Sequence, residues 1–129
     1  MNDKLRRADA DLLFQGILSL QTIDECYAFF EDICTVHEIQ SLSQRMEVAR
    51  MLKQGVTYTE ISEKTGASTA TISRVNRCLN YGADGYNMVL ERLELEKESR
   101  DQDSTENGQP LCAPFFYGGE WVRTINMQH

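Results

Sequence analysis

A glycine flanked by two capped helical patterns limits this chain more than any other feature. Gly66 closes TYTEISEKT, and ASTATISRVNRCLN follows it directly. Thr57 and Glu60 stand at the spacing where a hydroxyl and a carboxylate satisfy two orphan amides of a helix start reciprocally. Ser68 has the chemistry to cap the second pattern. Gly66 can take the positive φ that a chain reversal needs, and Ala67 is small enough for two helices to cross closely. Ile61 on the first helix then faces Ile72, Val75 and Leu79 on the second, which fall within about 60° of one another on a helical wheel. This is the pattern of a helix-turn-helix.

The rest of the body reads as helix too. Leu12, Leu13, Ile17 and Leu20 predict a first helix over about Asp9 to Leu20. Thr22 and Glu25 form a capping box ahead of Ile23, Tyr27, Phe30 and Ile33. Thr35 and Glu38 form another, opening TVHEIQSL. Ser41 and Gln44 predict a break before SQRMEVARMLKQ, whose apolar stripe is Leu42, Met46, Ala49 and Leu52. Gly55 stops that helix. Gly82 stops the helix from Ser68, and Asp84 caps a last one with Tyr86, Val89, Leu90 and Leu93 on its apolar side. No strand alternation precedes residue 100, and no repeat is found. The expectation is an all-α body of about six helices over residues 5–95. Beyond it, ELEKESRDQDSTENGQP has the composition of a disordered linker, and glycines and prolines discourage regular structure in the aromatic-rich end, LCAPFFYGGEWVRTINMQH. Residues 96–129 are therefore expected to be disordered, and docking on the body, binding a partner or no role at all stay open for them.

A chain of 129 residues, 41% hydrophobic and 26% charged, suits one globular domain and a tail. Its apolar runs are far short of the ~20 residues of a membrane span. The start, MNDKLRRADADLLFQG, lacks the apolar stretch of a signal peptide. Cys26, Cys34, Cys78 and Cys112 form no CxxC pair, and His37 and His129 lie far apart, which argues against zinc and fits the reduced thiols of a cytoplasmic protein. No cofactor, metal or membrane partner is expected.

The net charge of −7 hides an asymmetry: residues 1–40 carry −5, residues 41–93 carry +2 and residues 94–129 carry −4. The two-helix segment sits in the one basic third, and the local field, not the whole-chain charge, decides contact with phosphate. From Ser68 to Asn80 there is no acid. The outer face of that helix carries Ala70, Ser73, Arg74 and Arg77, flanked by Thr69 and Thr71. Arginines can contact phosphates or read guanine edges bidentately, and threonine and alanine methyls can touch thymine methyls. A helix N-terminus at Ser68 also favours a nearby phosphate.

SLSQRMEVARMLKQGVTYTEISEKTGASTATISRVNRCLNYG, followed by DGYNMVLERL, resembles the Trp repressor family in its YerC/YecD branch, over about residues 5–95. The resemblance implies an intertwined helical homodimer that presents two recognition helices to half-sites about one helical turn apart on double-stranded DNA; the Trp repressor is itself one of the standard examples of that docking. It places Ser68 to Arg74 in the groove and Thr57, Tyr58 and Thr59 near the phosphate backbone. It also matches Arg45 and Arg74 to the two arginines that sandwich the indole of tryptophan in the Trp repressor, and Thr35 to a threonine contributed from the other side of that pocket. Val75 falls where the repressor has glycine beside the indole, and Cys78 where it has serine. The added isopropyl group argues against tryptophan as the effector, since overpacking costs about 1–3 kcal/mol, and leaves another small molecule, or none, open. The ordinary alternative for Arg45 is an ion pair with Glu38, Glu47 or a partner subunit.

Two functions compete. One is a sequence-specific DNA-binding transcriptional regulator, in the repressor sense. The other is a helical protein-interaction module that reads no DNA, supported by the net acidity and by Phe115, Phe116, Tyr117 and Trp121. An enzyme is not expected. Asp24 with Glu25, or Glu31 with Asp32, point about 100° apart on a helix and do not converge on one substrate, and no motif joins Cys78 to His37.

Overall fold

The computed structural model describes residues 3–107, 115–117 and 120–122. A 3-10 turn at Asp3–Leu5 precedes six helices: α1 Ala8–Leu18, α2 Ile23–Ile33, α3 Val36–Lys53, α4 Tyr58–Thr65, α5 Thr69–Tyr81 and α6 Gly85–Asn107. Two short antiparallel strands follow, β1 Phe115–Tyr117 and β2 Glu120–Val122, with Phe116 opposite Trp121. The chain divides into two compact units, Met1–Ser43 and Gln44–His129.

In the first unit, Thr22 accepts a hydrogen bond from the Glu25 amide at 3.1 Å, and the Glu25 carboxylate accepts from the Gln21 amide at 3.2 Å. The hydroxyl half of the capping box that opens α2 therefore forms, while the carboxylate takes the Gln21 amide in place of the Thr22 amide expected. The Phe29 ring approaches Gly16, where an added Cβ would sit 3.9 Å from it, so α1 and α2 touch at that point. None of the described residues up to Ser43 is buried. Leu12 is 70% exposed, Leu18 83% and Val36 70%.

Thr35 caps α3, accepting from the Glu38 amide at 3.1 Å. The helix then runs unbroken to Lys53, contrary to the interruption expected at Ser41 and Gln44. Ser43 donates back to the Ile39 carbonyl at 2.7 Å, and Gln44 donates to the Thr65 carbonyl at 3.0 Å. Residue types that can open a helix here spend their hydrogen bonds without interrupting the ladder. At its far end Gly55, φ 79°, closes α3 as expected. The Val56 amide bonds to the Met51 carbonyl and the Gly55 amide to the Leu52 carbonyl, both at 3.1 Å, which is a Schellman motif.

The second unit contains the core: Val48, Ala49, Met51, Ile61, Ala67, Ile72, Val75 and Leu90, with Met46, Leu52, Val56, Leu79 and Tyr86 packed around it. Burying each of Ile61, Ile72 and Val48 fully is worth about 1.5–3 kcal/mol. Val48 and Met51 lie outside the stripe expected for α3, whereas Leu42 in that stripe is 49% exposed. The buried side of α3 is thus rotated toward residues 48 and 51.

α6 continues to Asn107, through most of the stretch expected to be a disordered linker. Up to Arg100 the segment is rich in leucine, glutamate, lysine and arginine, which are good helix formers, and Ser99 and Arg100 each bond back to a carbonyl four residues earlier. A solvated helix and a polar linker share a composition, so composition alone misreads this segment. Residues 108–114, 118, 119 and 123–129, with Cys112 and His129 among them, lie outside the described residues. Cys26, Cys34 and Cys78 are free thiols. Among the described residues no helix is long and apolar enough to cross a membrane.

Candidate nucleic-acid interface

The interface is built on the turn between α4 and α5. Thr57 caps α4, accepting from the Glu60 amide at 3.3 Å. Gly66 ends it in the left-handed region at φ 72°, its amide bonded to the Ser62 carbonyl at 2.9 Å. The Ser62 hydroxyl donates to the Ala67 carbonyl at 2.9 Å, and the Ala67 amide to the Thr65 hydroxyl at 3.2 Å. Ala67 itself is buried. Ser68 then caps α5, accepting from the Thr71 amide at 3.2 Å.

Which face of α5 turns outward follows from what its other face buries. Ile72 and Val75 are buried, Leu79 packs beside them, and Ile61 of α4 is fully enclosed against the same core. Ser68, Thr69, Ala70, Ser73, Arg74 and Arg77 are left exposed. The residues at 70, 73, 74 and 77 repeat at helical spacing and so form one stripe. Thr71 is the exception: it is half-buried, and its hydroxyl lies 3.1 Å from the Ser68 hydroxyl, tied into the cap. On α4, Thr57, Tyr58 and Thr59 are exposed, with Tyr58 at 38%. Glu60 and Glu63 are exposed there too. Freedom from acid therefore belongs to the exposed residues of α5 and not to those of α4.

The candidate ligand residues separate by unit. Thr35 lies in the first unit, where its hydroxyl caps α3 and sits 3.1 Å from the Glu38 carboxylate. Arg45 and Arg74 lie in the second, and both act on the charge of Tyr86. Burial, first, and repulsion from Cys78 push the Tyr86 phenol above its usual range, while the two arginines pull it back. Glu47, one of the ion-pair partners considered for Arg45, is instead bonded to Arg50, whose Nε donates to it at 3.0 Å. That hydrogen bond is the main reason the Arg50 guanidinium is held above its usual range, against a lowering by burial. Val75 is 2% exposed, so its isopropyl group belongs to the core. Tyr86 and Gln44 are not among the site residues expected from sequence. Gln44 meets Thr65, and Tyr86 meets the field of Arg45, across stretches of chain for which a linear pattern carries no signal.

Comparison with known proteins gives a consistent set of likenesses. A family profile described as Trp repressor protein matches residues 8–94. The uncharacterized protein YerC of Bacillus subtilis (strain 168) is 63% identical over 98 residues, covering 75% of this chain and 94% of that protein. The crystal structure of a TrpR-like protein from Eubacterium eligens ATCC 27750 superposes with a TM-score of 0.70 at 64% identity, covering 72% of this chain and 96% of that one. A solved Staphylococcus aureus structure superposes with a TM-score of 0.69 at 59% identity, covering 71% and 92%.

Proposed function

The chain belongs to the Trp repressor family, and from that premise we propose that it is a sequence-specific DNA-binding transcriptional regulator, acting as a repressor. Residues 5–95 form the working domain, and it functions as a homodimer that lays the helix from Ser68 in the major groove. The observation that carries this reading is the exposed face of α5, acid-free and bearing Arg74 and Arg77, held outward because Ile72 and Val75 anchor the opposite face. Ser68, Thr69, Ala70, Thr71 and Ser73 contact bases or the near backbone, and Thr57, Tyr58 and Thr59 contact phosphates beside them. A protein partner bound at this same face would favour an apolar surface on α5, and threonine, serine and arginine stand there beside Ala70 instead.

The homodimer is supported by the first unit, in which α1 and α2 leave large apolar side chains open. A second copy is the partner whose matching face would cover them. Tryptophan is not its corepressor on this reading, because the Val75 side chain that stands beside the expected slot is committed to the core.

Selection of bound duplexes from a random pool, without tryptophan, tests the whole proposal. The wild-type chain should recover a shared motif. Arg74→Ala and Arg77→Ala should each relax the motif or lower the slope of log K against log salt by about 0.9 for each phosphate that is no longer neutralised. No shared motif removes the DNA-reading proposal. A motif that appears only when tryptophan is added removes the argument from Val75.

A further inference from the structure

The C-terminal carbonyls of a helix have no partner within it, and the last one of α4 finds its partner on another helix. Gln44, half-buried on α3, donates from its side-chain amide to the Thr65 carbonyl at 3.0 Å, across 21 positions of sequence. The remaining bonds of this turn are local. The Thr65 hydroxyl donates to the Ile61 carbonyl at 2.7 Å and accepts from the Ala67 amide, and the Ser62 hydroxyl reaches the Ala67 carbonyl. Those bonds fix the shape of the turn within itself. Gln44 ties it to α3, the helix that supplies Val48, Ala49 and Met51 to the core. The tie lands one residue before Gly66, where φ is 72° and the chain swings from α4 into α5.

We propose that Gln44 is a positioning residue of the interface: through its hydrogen bond to the Thr65 carbonyl it holds the turn at Gly66 and so sets the angle at which α5 meets DNA. The proposal rests on the DNA-binding reading above. Gln44 is half-buried, and its bonded partner belongs to the turn and not to the outer stripe of α5, so its effect on DNA passes through backbone geometry. A leucine at this position is apolar, one bond shorter, and has no donor. A glutamate at neutral pH presents a carboxylate to a carbonyl, two acceptors facing each other, and regains a donor when its oxygen is protonated.

The test uses the full chain with Gln44→Leu and Gln44→Glu. Amide protection at Gly66 and Ala67 should fall at least tenfold in both variants at neutral pH, while protection at Val48 and Met51 stays at the wild-type level. In Gln44→Glu the missing protection should return, relative to wild type at the same pH, as the solution is acidified toward the ordinary glutamate pKa of about 4.3. With DNA, both variants should drop about tenfold in the ratio of specific to non-specific affinity at neutral pH, and their salt slope should match wild type, because every phosphate-facing side chain is still in place. A merely structural role would instead lower protection and melting temperature throughout the unit with no local excess, and that result overturns the proposal. A wild-type motif bound with unchanged specificity by Gln44→Leu also overturns it, and alone. Failure of the wild-type chain to select any motif overturns the DNA reading and this proposal together.

Discussion

Tyr86 shows what a single residue takes from the fold. In sequence it is the first apolar position of α6; in three dimensions it packs on the core and feels Cys78, Arg45 and Arg74. Burial is the largest influence and raises its pKa above 10.0, the repulsion of Cys78 adds to this, and the arginines oppose it. The folded chain therefore keeps the phenol proton to higher pH than the unfolded chain does. The stability contributed is fully present below about pH 10 and is lost as pH rises through the folded value. Urea midpoints should fall more steeply between about pH 9 and 11 for wild type than for Tyr86→Phe, which has no proton to lose there. Parallel profiles would show that Tyr86 does not hold its proton more tightly when folded. The caps at Thr22, Thr35, Thr57 and Ser68 were legible without a structure because each depends on residues three positions apart. The field around Tyr86 was not, because it joins positions 45, 74, 78 and 86 through packing.

At the scale of elements, the turn between α4 and α5 is set by one backbone angle. Gly66 has open space around an added Cβ, so a substitution there meets no steric neighbour and its cost is the positive φ alone. Gly66→Ala should reduce stability by roughly 1–2 kcal/mol, with Gly66→Asn costing less because asparagine tolerates the left-handed region. Denaturant titrations of the three chains check the order; an alanine variant as stable as wild type would mean that α4 and α5 can join through another backbone path. Helix identity was readable throughout the body, but two boundaries were not. Ser41 to Gln44 carry the residues of a helix start, yet Ser43 and Gln44 bond to the Ile39 and Thr65 carbonyls and α3 passes through. Residues 96–107 carry the composition of a linker, yet the backbone stays helical. Val48 and Met51 were missed for a related reason: several stripes on α3 are apolar enough to be buried, and only its neighbours decide which one is.

For the whole molecule, the division of burial is the informative quantity. Every buried residue described lies in the second unit, and the first leaves Leu12, Phe14, Leu18, Ile23, Tyr27 and Ile33 at least half exposed. Folding of such a segment draws its driving force from apolar area removed from water, so a second copy should raise its stability by mass action. The melting temperature should then climb with protein concentration, and sedimentation should report a dimer at micromolar concentration. A melting temperature constant over a roughly hundredfold dilution, with a monomer throughout, would overturn the homodimer. The open face of α1 and α2 also has a genetic consequence if a second copy covers it. A chain whose recognition helix is crippled but whose N-terminal helices are sound would still pair with healthy chains. In a cell making both kinds, many pairs would carry one faulty half, so such a lesion should behave as dominant, whereas truncation before α2 should be recessive.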